Sequence, residues 1–93
     1  MTPKFYHFME HGDPRGKLAV VEPGKDIPFP IRRVYYLYEV GEEQRRGFHA
    51  HKKLEQVLLC VHGSCKVMLD DGDSRCDVTL DSPTLGLYVG NAM

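Results

Sequence analysis

The sequence predicts a single small all-β domain, built as an antiparallel sandwich or barrel. Three observations predict it. β-Branched and aromatic residues gather in short runs, such as Lys17-Leu18-Ala19-Val20-Val21 and Val34-Tyr35-Tyr36-Leu37-Tyr38, a composition that suits a pleated, half-buried surface. Clusters such as Pro23-Gly24, Gly63-Ser64 and Asp71-Gly72 separate the runs and supply chain reversals. No segment sustains a helical apolar period, and no internal repeat or low-complexity tract is present.

Size and charge narrow the possible functions. A chain of 93 residues can bury a limited but sufficient core for one domain. Its 12 basic and 13 acidic side chains nearly cancel, and no basic block offers a footprint for nucleic acid. No apolar run approaches the ~20 residues that cross a bilayer, and Met1-Thr2-Pro3-Lys4 lacks a signal-peptide core, so a cytoplasmic protein with no membrane partner is expected. Cys60, Cys65 and Cys76 are odd in number and show no CxxC spacing, which suggests neither a disulfide framework nor a zinc knuckle. Buried or half-buried thiols are expected instead.

In chain order, Lys4-Phe5-Tyr6-His7-Phe8-Met9 is an aromatic strand that runs into the turn composition His11-Gly12-Asp13-Pro14-Arg15-Gly16. Lys17 to Glu22 forms a second strand, broken by Pro23-Gly24. Ile27-Pro28-Phe29-Pro30 is an extended linker, because two prolines remove ladder donors. Ile31 to Val40 is the longest strand candidate before the centre of the chain. Alternation puts Arg33 and Tyr35 on one face and Val34, Tyr36 and Tyr38 on the other, so one array should line the interior. A charged loop, Gly41 to Gly47, follows. Gln56 to His62 and Cys65 to Leu69 are strands around Gly63-Ser64, and Asp70-Asp71-Gly72-Asp73 turns the chain into Cys76 to Leu80. After Asp81-Ser82-Pro83-Thr84, the segment Gly86 to Gly90 begins the last strand.

The chemistry-bearing stretch is Gly47-Phe48-His49-Ala50-His51. In a strand His49 and His51 project from one face, so two imidazoles share a small volume. Histidine titrates near pH ~6.5, which suits such a pair to proton transfer or to metal binding. The spacing resembles the first cupin motif, in which His-x-His is followed by an acidic ligand and, six residues later, a glycine. Here the acidic place holds Gln56, with Gly63 correctly spaced. A neutral amide is a weak ligand, so acid/base histidines are expected and no metal. Glu55 is the alternative ligand at a shorter spacing, but its gap to Gly63 is one residue too long.

Several segments together are more specific. Asp13-x-Arg15-Gly16, Ile27-Pro28-Phe29, Arg33-Val34-Tyr35-Tyr36, Arg46 to Lys53, Asp70-Asp71-Gly72 and Leu80-Asp81-Ser82-Pro83 resemble, in order and spacing, the nucleotide-sugar 3,4-ketoisomerases of the cupin superfamily. The resemblance covers essentially the whole chain. It implies a cupin jelly roll over residues 1–93, incomplete at the C-terminus, because family members continue through a tryptophan-containing second motif that this chain does not reach. It also implies a homodimer, with Lys4 to Met9 as the strand exchanged between subunits.

The implied reaction moves the ketone of dTDP-4-keto-6-deoxyglucose from C4 to C3 through an enediol, without a cofactor. His49 and His51 would be its acid and base. By the same resemblance, Tyr36 or Tyr35 supplies a hydroxyl near the sugar, and Arg15, Arg33 and Arg46 contact the diphosphate or sugar through charge-assisted hydrogen bonds. Two other classes stay open on the sequence: a metal-dependent, dioxygenase-like cupin enzyme, and a non-catalytic sugar-binding or assembly fragment.

Overall fold

The computed structural model describes residues 2–38, 47–49, 55–70 and 72–90, with 47–49 described as backbone only. The described elements are strands β1 (Lys4–His7), β2 (Glu10–Asp13), β3 (Gly16–Ala19), β4 (Gly47–His49), β5 (Gln56–Leu58), β6 (Cys65–Asp70), β7 (Arg75–Leu80) and β8 (Leu85–Val89). They form a β1-β8-β5 sheet, a β4-β6-β7 sheet and a separate β2-β3 hairpin. No helix among the described residues is long and apolar enough to cross a membrane.

Local chemistry explains each reversal. The first hairpin turns at Pro14-Arg15, where the Asp13 carboxylate accepts the Arg15 backbone N–H at 2.8 Å and Gly16 takes a positive φ. The expected turn composition there therefore belongs to a hairpin whose arms take in Glu10–Asp13 as strand. At the β6-β7 turn Gly72 has φ 96° and donates its N–H to Asp70 Oδ1 at 2.8 Å. A side chain at that φ would be strained.

The core lies between the two three-stranded sheets. Alternating residues of β6 and β7 contribute Val67, Leu69, Val78 and Leu80, and β8 contributes Leu87 and Val89. Phe5, Leu58 and Leu85 pack against them. The opposite face of β8 carries a second layer. Gly86 there leaves room for Phe8 and Val57, since a Cβ on it would lie 2.8 Å and 2.6 Å from their side chains. Phe8 is buried and continues the β1 pairing by donating its N–H to the Thr84 carbonyl at 2.9 Å. Phe29 of the proline-rich linker closes on the Tyr88 ring, with centroids 6.1 Å apart.

Two expectations are corrected. Residues 31–38 do not form a strand, and neither of their arrays lines the interior: Val34 is 77% exposed and Tyr36 80% exposed. A strand requires a neighbour for its N–H and C=O groups, and the described ladders include none at these residues. The period-two grouping nevertheless survives, with the Arg33 guanidinium 5.2 Å from the Tyr35 ring centroid and Tyr36 against Tyr38. The second correction concerns pairing direction. β4 runs parallel to β6, with His49 opposite Asp70, whereas the other described pairs are antiparallel.

Lys4–His7 pairs with β8 of the same chain, in the register Lys4↔Tyr88 to His7↔Leu85. An exchange of this strand between subunits would preserve the same pairs in trans. Of the cysteines, Cys60 is buried and Cys76 half-buried, but Cys65 is exposed, because it opens β6 at the edge of the core.

Candidate active site

Described residues flank the histidine stretch on both sides in sequence. On one, the backbone of β4 lies along β6, which fixes the position of His49 in the β4-β6-β7 sheet. His51 and Arg46 lie outside the described residues. On the other, β5 starts on β8 with Gln56 opposite Val89.

The Glu55 and Gln56 side chains are both bound by tyrosine hydroxyls. Tyr88 Oη donates to Glu55 Oε2 at 2.7 Å, and Tyr35 Oη donates to Gln56 Oε1 at 3.3 Å. These bonds bear on the metal alternatives, since Glu55 and Gln56 are the only acidic or amide candidates at that end of the motif. Glu55 accepts a phenol on one of its two oxygens, and Gln56 is a neutral amide whose oxygen accepts another. Among the described residues no group of three His, Cys, Asp or Glu side chains converges as a metal site would.

The other expected site residues separate into two places. Arg15 stands at the tip of the β2-β3 hairpin, where its Nε and Nη2 donate to Asp13 Oδ2 at 3.2 and 2.7 Å. This guanidinium, through its hydrogen bonds, holds the Asp13 carboxyl below its usual value of 3.8. The forked pairing leaves Arg15 well exposed, with further N–H donors free of Asp13. Arg33, Tyr35 and Tyr36 lie together on the 31–38 segment, all exposed. Tyr35 is committed to Gln56, whereas Tyr36 is not among the hydroxyls that bond to that end of β5.

A thiol mechanism gains no support. Partial burial, then a hydrogen bond and like-charge interaction with Cys60, push the Cys65 thiol above its ordinary range, so it stays protonated at neutral pH.

Tyr88 was not singled out by sequence reasoning. A signal for it existed: it is a polar-tipped aromatic in an apolar strand, flanked two residues away on its own face by Gly86 and Gly90. Those glycines leave space for rings.

The whole chain, residues 1–93, matches the family model described as "FdtA: WxcM-like, C-terminal". It is 55% identical, over all 93 residues, to the TDP-4-oxo-6-deoxy-alpha-D-glucose-3,4-oxoisomerase of Aneurinibacillus thermoaerophilus, and covers 67% of that protein. The chain belongs to the sugar 3,4-ketoisomerase family. Solved structures of that family share its fold. The 3,4-ketoisomerase QdtA of Thermoanaerobacterium thermosaccharolyticum in complex with TDP superposes with a TM-score of 0.88 at 42% identity, over 96% of this chain and 65% of the enzyme. A His→Asn variant of QdtA, in complex with TDP-4-keto-6-deoxyglucose, gives a TM-score of 0.88 at 40% identity, over 96% of this chain and 64% of the enzyme. The chain thus spans about two thirds of the length of these relatives. The likeness bears out the cupin-type all-β reading, the parallel β4-β6 pair aside.

Proposed function

We propose that this chain carries the 3,4-ketoisomerase chemistry of its relatives, moving the ketone of TDP-4-keto-6-deoxyglucose from C4 to C3. The observation that carries this reading is 55% identity over the full 93 residues to an enzyme named for that reaction. A ketone at C4 acidifies the C3 proton. One histidine of the His49-x-His51 pair removes it, and an enediol forms. The other side of the pair returns a proton to C4 while the C3 hydroxyl loses its own, leaving the ketone at C3. No atom is gained or lost, so the step needs an acid, a base and hydrogen-bond donors to the developing oxyanion, but no cofactor.

Charge supports this reading of the nucleotide-sugar contacts. The diphosphate is anionic, and Arg15, Arg33 and Arg46 are cations suited to contact it or the sugar through charge-assisted hydrogen bonds. Arg15 is pre-oriented by Asp13 with donors to spare. Between the two tyrosines, Tyr36 is the better sugar contact, because the Tyr35 hydroxyl already serves Gln56.

Proton exchange tests the reading directly. With TDP-4-keto-6-deoxyglucose in deuterated water, the protein should wash the C3 proton out and form the 3-keto product, as followed by NMR. His49→Asn should abolish both while TDP-sugar binding survives. Full exchange in that variant would remove His49 from the mechanism, and no exchange in the parent would leave the sugar-binding fragment as the surviving reading.

The same reading includes a homodimer. Every residue of β2 and β3 is exposed, and Met9 and Leu18 add apolar surface to that hairpin, a face suited to covering by a second copy. Sedimentation should report twice the chain mass; a monomer at micromolar concentration would overturn the dimer.

A further inference from the structure

We propose that Gln56 is a positioning residue that acts through Tyr35: by accepting the Tyr35 hydroxyl it fixes the ring against which the Arg33 guanidinium rests, and so presents that cation to the diphosphate of a nucleotide sugar. The inference rests on the proposed nucleotide-sugar reading for its ligand. The contacts that link Gln56, Tyr35 and Arg33 belong to the chain itself.

Gln56 opens β5 and pairs with Val89 of β8, the central strand of its sheet. Its backbone is therefore fixed by the ladder. Two residues on, Leu58 packs against the core, so alternation sets Gln56 on that same side of the sheet, where it is half-buried. A half-buried amide oxygen calls for a donor. The Tyr35 hydroxyl supplies one at 3.3 Å. The bond matters more to Tyr35 than to Gln56, because residues 31–38 join no described ladder and a side-chain bond must do what backbone pairing does elsewhere. Arg33 then sits over the ring held in this way, its guanidinium carbon 5.2 Å from the centroid.

The two described arginines of the proposed site differ in what they have to offer. Arg15 spends its Nε and Nη2 donors on Asp13, whereas among the described residues Arg33 makes no ion pair. Contact with the face of a ring uses charge and surface but none of the guanidinium N–H groups, so the fork stays whole for a phosphate. An arginine already seated also loses less side-chain freedom when the anion arrives. This account gives a reason for the amide at position 56, where the cupin motif has an acidic residue. A carboxylate would accept the same phenol but would add a charge of the ligand's own sign near the cation that receives it. A neutral amide holds the ring without that repulsion.

The test measures TDP binding by calorimetry in variants of the full chain. Tyr35→Phe keeps the ring and removes the donor, and Gln56→Leu removes the acceptor. Each should weaken TDP binding about three- to tenfold, with the double variant no weaker than either single one. Arg33→Gln should weaken it about tenfold or more, and adding Tyr35→Phe to that variant should change nothing further. The Arg33 side-chain protons report the seat without any ligand. An aromatic ring shields protons over its face, so their NMR signals should lie upfield in the parent and return toward those of a solvated arginine in Tyr35→Phe and Gln56→Leu. Should the parent fail to bind TDP, the nucleotide-sugar reading fails, and the proton shifts alone decide whether Gln56 seats Arg33. Parental affinity and parental Arg33 shifts in both single variants, with only the melting temperature lowered, would overturn the proposal. Losses that add in full to that of Arg33→Gln would overturn it too, since Gln56 would then act by a route other than Arg33.

Discussion

β8 and the 31–38 segment look alike in sequence and end in opposite situations. Both are short and rich in large apolar or aromatic side chains. β8 lies between β1 and β5, so both of its edges are hydrogen-bonded and Leu87 is wholly buried. In 31–38 Tyr36 is 80% exposed, and the segment meets the rest of the fold through the Tyr35–Gln56 hydrogen bond. The difference teaches that alternation prepares a segment for a sheet, whereas burial comes from the neighbours that pair with it. A central strand holds its side chains between two neighbours, whereas an exposed aromatic segment leaves Arg33 and Tyr36 open to solvent.

The contrast predicts its own largest test. Leu87→Ala should cost about 2–5 kcal/mol, as expected for a buried leucine that leaves a cavity. Val34→Ala, on the exposed segment, should stay within about 0.5 kcal/mol of the parent. Urea midpoints at constant m-value measure both. Equal losses would mean that 31–38 is buried in solution and that the contrast is false.

A smaller effect sharpens the account of β8. Gly86→Ala inserts a methyl group 2.6 Å from Val57 and 2.8 Å from Phe8, so overpacking should cost about 1–3 kcal/mol. Pairing it with Phe8→Leu should recover part of that loss, because the ring is one of the two clashing groups. Additive losses in the double variant would show that Phe8 is not the obstacle.

The smallest effect concerns the hairpin tip. Asp13 has a folded-state pKa below its usual 3.8, so it binds protons less readily in the folded chain than in the unfolded one. The stabilisation is complete above that usual value and disappears as pH falls through the lower folded value. Asp13→Asn should therefore flatten the acid limb of the stability curve slightly and leave neutral pH almost unchanged, as exposed pairs contribute little. The carboxyl titration of Asp13 by NMR checks the direction. A curve shifted upward would contradict the Arg15 clamp.

Much of this protein is legible from residues alone. Asp13-Pro14-Arg15-Gly16 and Asp70-Asp71-Gly72 specify turns because their side chains bond their own backbone and their glycines take positive φ, all within a few residues. The strands Cys65 to Leu69 and Cys76 to Leu80 are legible for a similar reason, since a tight turn joins two alternating runs. The motif order likewise identified the family and the residues to test.

What the tertiary structure alone decided is which distant groups meet. Ile31 to Val40 has every local mark of a strand, yet its described part finds no ladder. β4 lies parallel to β6, across a separation that no turn signal spans. The bond from Tyr88 to Glu55 joins residues 33 apart in the chain, and the glycines around Tyr88 make room for its ring without naming its partner. Local propensity acts through neighbours a few residues away and can be read along the chain. Pairing, burial and hydrogen bonds between distant side chains depend on surfaces that exist only once the sheets have come together.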